Sequence, residues 1–558
     1  MRKLLRLTLA GMALMVVAML GTGQVIGSTP QRGGTLRVAA WQEPDSLNPF
    51  LAVQLISRII RKQTLEGLFD VEPSGKFYGV LATDVPTIQN GGVSADGKTV
   101  RIRLRPNVKW QDGHPLTSAD VRFTWQAVMD QANPVSSRAG YETITAVEIP
   151  DDLTVILRFS KLYAPYLTLF GVRDAVLPRH AFGGTTEMAK HPFNRKPEGT
   201  GPFMVEEWVS GSHVLLKRNP NYSFYRQAER PLVDQLVFKF VPSREVAIAQ
   251  IKTGEVEAVW NLIEAQIPEF EKISGVTLQV FPSPNLEYLG LNLSDRGDPS
   301  KPHPILSDAR VRQAIALAID KRVIVDKLLF GKAKVATSPL TIGWASDPSF
   351  TPSPYDPQRA RALLSEAGWA PDPDGIRRKG GKRLSLSIMT TTGDKLRISA
   401  EQIIAEQLKQ VGIELTIRNV PASVMFGNWA ASGPLKRGSY DIAMDTWGPD
   451  VDPASFLRIL FHSSQIPTAE NKGVGWNFFR IKSAALDKAI DDADTTLDLE
   501  KRKTMYRTAS QAILGTWAYI PLYTRLYVHA FRTTAKGSKA NAWDTFAWDA
   551  EDWYIEGP

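Results

Sequence analysis

The segment Leu104–Val128, LRPNVKWQDGHPLTSADVRFTWQAV, leaves the backbone few choices. A strand must end at Arg105-Pro106, because proline has no N–H for the next ladder bond. A tight turn follows Trp110 through Asp112-Gly113, and Thr117 or Ser118 then caps a helix with Asp120 and Val121 in its first turn. The same order recurs. Thr35–Ala40, 99–105, Thr154–Phe159, 232–240, 384–389 and 413–419 alternate apolar and polar residues as strands do. Between them, 243–254 starts at a Ser cap and stops at a Gly, 307–330 is amphipathic, Asp356 precedes Pro357 at a helix start that runs to Gly368, and 396–410 is helical. This is α/β organisation with mixed sheets. With 558 residues, more than the ~250–300 at which single cores stop growing, the chain divides into two or three lobes.

Charge and composition exclude several classes. The net charge of +8 falls to 63 − 58 = +5 once the three basic residues of 1–28 are set aside, and both signs are interspersed. Nucleic-acid binding wants a concentrated basic face, and none is present. Arg2, Lys3 and Arg6 precede the apolar run Leu7–Leu20 and the small residues of 21–27, so 1–28 reads as a secretion signal. The run is shorter than the ~20 residues of a spanning helix. The chain has no cysteine, and Gly23 stands where a lipid-bearing cysteine would follow Leu20-Gly21-Thr22, so a soluble, exported, periplasmic or extracellular product is expected.

Catalytic signatures are missing. There is no GxSxG, HExxH or CxxC, and the seven histidines show no ligand-like helical spacing. Gly92–Thr99 satisfies GxxxxGK[ST], but 100–105 alternates as a strand where a phosphate loop needs a helix, and Asp96-Gly97 reads as a hairpin turn. No catalytic residue, cofactor or metal is expected, and His462 is the histidine nearest to a candidate site.

The 104–128 block resembles the signature of the extracytoplasmic solute-binding proteins of ABC importers, family 5, which take up oligopeptides, dipeptides and nickel. Gly199–Tyr222 (GTGPFMVEEWVSGSHVLLKRNPNY), Asp308–Asp320 (DARVRQAIALAID), Tyr355–Trp369 (YDPQRARALLSEAGW) and Tyr440–Pro453 (YDIAMDTWGPDVDP) are similar to four further blocks of that family, in order. The resemblance implies a periplasmic binding protein fold (type II-like, class C), with two main lobes joined by a hinge and an inserted extra domain. Lobe I would be 33–76, 197–290 and 520–558, lobe II the insertion 77–196, and lobe III 291–519. Hinge crossings are expected near 286–293 and 520–526. The implied function is capture of a short peptide between lobes and delivery by a monomer to an ABC permease. An oligosaccharide or a nickel chelate remains an alternative ligand, and a secreted α/β hydrolase or a ligand-presenting sensory protein an alternative class.

Asp450 is the leading ligand-binding candidate. Asp452 is explained as a helix cap with Pro453 behind it, which leaves Asp450 unused. In peptide-binding relatives an aspartate after a Trp in this block pairs with the ligand's terminal ammonium, although this chain is one residue shorter before the Pro than many of them. The resemblance also implies that the loop holding Trp41, Glu43 and Asp45 lines the cleft; a strand-end turn organised by Pro44 and Pro49 is the competing reading. Trp447 and Trp476 are candidates for stacking on ligand.

Overall fold

The computed structural model describes residues 32–557 except 53, 223–228, 297 and 299, so the proposed signal 1–28 lies outside the described residues. A single ten-stranded mixed sheet runs through the molecule in the order Glu414–Ile417, Ser385–Met389, Ile442–Trp447, Val276–Leu291, Tyr519–Arg532, Ala258–Val259, Thr35–Ala40, Gln235–Phe240, His213–Arg218 and Phe203–Val209. Its middle is an antiparallel pair of long strands, Val276–Leu291 and Tyr519–Arg532, paired from Val276–Arg532 to Gly290–Tyr519, with register shifts between Pro282 and Leu286 and between Glu287 and Tyr288. Both segments expected as hinge crossings lie on this pair. These two strands join the two halves of the sheet and carry the charged residues Glu287 and Arg525.

A buried ion cluster ties the crossing together. Arg525 reaches Glu264 at 2.9 Å, Glu287 at 3.1 Å and Asp394 at 3.2 Å, and Arg397 meets the other oxygen of the fully buried Glu287 at 2.9 Å. Each carboxylate comes from a different element, so one guanidinium fork fixes their relative positions.

The 104–128 block folds as read. Thr117 caps the helix Ser118–Met129 in a capping box with Asp120, and Trp110 is buried. Beside it, Thr99–Arg103, Thr154–Phe159 and Ile144–Asp151 form a separate antiparallel sheet with its own core. That core also takes in Phe50, Leu65, Leu68 and Phe69 from before residue 77. The Gly92–Thr99 motif is a turn: Gly97 N–H donates to Ser94 O at 2.9 Å, Gly97 has φ +68°, and the strand Thr99–Arg103 follows directly.

Two local expectations need correction. The amphipathic stretch 307–330 is two helices, Ala309–Ala318 and Lys321–Leu328. Asp320 breaks it by accepting from the N–H groups of Arg322 at 3.0 Å and Val323 at 3.2 Å, a cap in place of a helix interior. Asp452 does accept from Ala454 N–H at 3.0 Å, yet its main partner is the buried Arg502, held bidentately with both bonds at 2.8 Å. No helix among the described residues is long and apolar enough to cross a membrane.

Candidate functional site

A cavity of about 370 Å³ lies where the proposed lobes meet, within the range of ligand pockets. Arg58 enters it from the helix Leu55–Arg61, Tyr141 and Arg173 from the inserted region, and Trp260 and Gln279 from the segment before the hinge. Asp450 closes another side, and Tyr527, His529 and Asp544 come from the C-terminal segment.

Asp450 sits on a braced loop. Gly448 packs so closely on Pro284 that an added Cβ would lie 2.3 Å from its carbonyl oxygen. Trp344 Nε1 donates to Val451 O at 2.6 Å, and Asp452 is clamped by Arg502. Between these fixed points Asp450 projects into the cavity and pairs with Arg173, a residue 277 positions away in the inserted region. The pair is open to solvent, with side chains 45% and 62% exposed for Asp450 and Arg173. Asp450 is thus partly open to solvent and already paired with a guanidinium.

A second charged group lines the floor. Asp544, fully buried, pairs with Lys62 and lies 3.6 Å from Arg58, while Lys62 also holds Asp70 at 2.6 Å. Burial alone would lower the Lys62 pKa, but the carboxylates of Asp544 and Asp70 outweigh it and raise it, so the ammonium persists. His529 is buried, accepts from Asn261 N–H at 3.2 Å, and is pushed down to about 3 by burial. It is a neutral wall, not a cation. Trp260 and Tyr527 supply aromatic faces. The cavity therefore offers both signs of charge between flat apolar walls.

The other sequence candidates stand elsewhere. Trp41 stacks on the cavity's Trp260 at 4.9 Å and 5°, one layer behind the surface, with the Arg244 guanidinium 4.7 Å over its ring. Glu43 accepts from Trp208 Nε1 at 2.7 Å and Gly211 N–H at 2.8 Å, and Asp45 accepts from Ser57 Oγ at 2.6 Å. Their carboxylates thus organise the turn after the first strand. Trp447 and Trp476 meet edge to face at 5.1 Å and 80°, with Lys436 Nζ 4.5 Å over Trp476, outside this cavity. His462 hydrogen-bonds Ser464 Oγ at 2.7 Å, also outside it. Arg58, Arg173, Trp260 and Asp544 were not foreseen. Nothing local in RIIRK, GVRDA, AVWNL or AWDTF marks them, since the cavity is assembled from segments hundreds of residues apart.

A large mixed sheet centred on a long antiparallel strand pair, with a charged and aromatic cavity beside it, is the architecture of an α/β binding protein. The family profile "Bacterial extracellular solute-binding proteins, family 5 Middle" matches residues 76–468. The chain belongs to that family. The oligopeptide-binding protein AppA of Bacillus subtilis is 27% identical over 506 residues, 88% of this chain and 87% of AppA. Its structure in complex with a nonapeptide superposes with a TM-score of 0.70 at 26% identity, covering 95% of this chain and all of that one. NikZ of Campylobacter jejuni in complex with Ni(L-His) superposes with a TM-score of 0.72 at 27% identity over 93% of this chain and 99% of NikZ. The glutathione-binding protein GsiB of Salmonella paratyphi A is 25% identical over 93% of this chain and 95% of its own length. The expected periplasmic binding protein fold is the observed one.

Proposed function

We propose that this protein is the exported, monomeric solute-binding component of an ABC importer, that it captures a short peptide in the interlobe cavity, and that it presents the closed form to a membrane permease without chemical change to the ligand. One observation carries the ligand assignment: Asp450 faces the cavity from a braced loop and its counter-charge is the solvent-exposed Arg173. An exposed pair is worth only ~0.2–1 kcal/mol. A terminal ammonium, desolvated as the lobes close, forms a charge-assisted bond worth ~1.5–3 kcal/mol and so displaces Arg173. Closure then follows from ligand contacts made to both lobes, which exist only in the closed state. AppA's nonapeptide and the glutathione of GsiB's name support an amine-bearing peptide over an oligosaccharide. The lobe boundaries 33–76, 197–290 and 520–558 (I), 77–196 (II) and 291–519 (III) belong to the same proposal.

The test is to purify the protein natively, denature it, and identify released small molecules by mass spectrometry. Short peptides are the expected result. A nickel chelate or a sugar would overturn the ligand assignment while leaving the carrier role.

A further inference from the structure

The turn of the 104–128 block carries a side-chain cluster that the cleft does not use. Asp112 Oδ2 lies 2.9 Å from His114 Nδ1 and 2.8 Å from His180 Nε2, and Glu198 Oε2 lies 3.7 Å from that same His180 nitrogen. The donor atoms that Asp112, His114 and His180 each offer all fall within 4.8 Å of one another. The two imidazoles stack at 4.3 Å and 26°, and Trp110 meets His180 edge-on at 6.0 Å.

The backbone beneath them is fixed. Trp110 N–H donates to His114 O at 2.8 Å and Gly113 N–H to Trp110 O at 2.9 Å, which closes the turn. Gln111 N–H donates to Gly199 O at 2.9 Å, which brings Glu198 alongside. Arg179 N–H donates to Asp120 Oδ1 at 2.9 Å, which anchors the short helix Arg179–Phe182 that carries His180. Two segments distant in sequence therefore deliver two imidazoles and the Asp112 carboxylate to one point, with Glu198 beside His180.

We propose that Asp112, His114 and His180 bind one divalent transition-metal ion of the Zn²⁺ or Ni²⁺ class, with solvent completing the shell, at a site separate from the solute cavity. Imidazole nitrogen with carboxylate oxygen suits these ions, whereas Mg²⁺ and Ca²⁺ prefer oxygen alone. A tetrahedral site with bonds of ~2.0–2.2 Å spaces its donors at about 3.4 Å. The Asp112–His114 and Asp112–His180 separations of 2.9 and 2.8 Å lie below that value and the three donors all lie within 4.8 Å of one another, so small side-chain shifts bring them to it. The side chains are solvent-accessible, from 26% for His180 to 61% for His114, so the ion has an entry path. The ion would pin the signature turn to the short helix Arg179–Phe182.

The experiment is isothermal titration of the full-length chain, free of any polyhistidine tag, with ZnCl₂ and separately with NiCl₂ in a non-coordinating buffer. One equivalent with Kd of about 10 μM or tighter is expected. His114→Asn and His180→Asn should each weaken binding at least ~10-fold, the minimum seen even for outer-shell partners, while Asp450→Asn leaves it unchanged. His114 is exposed enough that its replacement spares the fold, and a circular dichroism spectrum like the wild type's confirms this for both variants. Binding that persists in the double histidine variant, or wild-type binding no tighter than that of the double variant, overturns the site.

Discussion

Replacing Asp450 by Asn keeps the loop's shape and removes the charge that the proposed mechanism depends on. In the wild type a peptide ammonium gains ~1.5–3 kcal/mol on Asp450 and loses the ~0.2–1 kcal/mol of the exposed Arg173 pair, a net of about 1–2 kcal/mol. D450N should therefore weaken a free-amine peptide by about 5- to 30-fold in isothermal titration. The same peptide N-acetylated has no ammonium; it should bind the wild type about that much more weakly and be indifferent to D450N. Arg173→Ala removes the competitor and should tighten the free-amine peptide by about 1.4- to 5-fold. In the double variant no carboxylate remains to compete for, so the gain from R173A should vanish, a coupling that the double-mutant cycle isolates. An N-acetylation cost equal in the wild type and D450N refutes the anchor. Loss of affinity in R173A refutes the competition, because Arg173 would then be holding ligand instead of the empty site.

Two further outcomes follow from buried charge. Asp452→Ala leaves the Arg502 guanidinium, 3% exposed, without its bidentate partner and should cost ~3–5 kcal/mol in denaturant unfolding, with much smaller loss from removing an exposed pair such as Lys488–Asp492. Glu401 is fully buried, accepts from Asn419 Nδ2 at 2.7 Å, and is pushed up to about 7 by burial, from the ordinary 4.5 of a glutamate. Its neutral form thus stabilises the fold fully below about pH 4.5, and that contribution is lost as pH rises through about 7, on the order of 3 kcal/mol at most. Glu401→Gln should flatten the fall in stability between pH 5 and pH 8 seen in the wild type; an unchanged slope refutes the assignment.

What the sequence made legible follows the range of the forces involved. Capped helices and alternating strands are set by neighbours within a few residues, so Thr117, Ser243 and Asp356 announced their caps and Thr35–Ala40 its strand. Where a polar residue had two possible partners, local rules chose the nearer one: Asp452 was read as a cap because Pro453 adjoins it, while Arg502, fifty positions on, is invisible to spacing. The same limit governs the cavity. Asp450 stands out in the sequence because no local partner explains it, whereas the carboxylates of Glu43 and Asp45 are taken up by Trp208, Gly211 and Ser57 in other segments. Arg173 carries the point furthest. It is one exposed arginine among many in the sequence, and only the fold brings it against Asp450, 277 positions away. Family membership could thus be read from short blocks, each fixed by local geometry, whereas the charges that line the cavity meet only in the assembled fold.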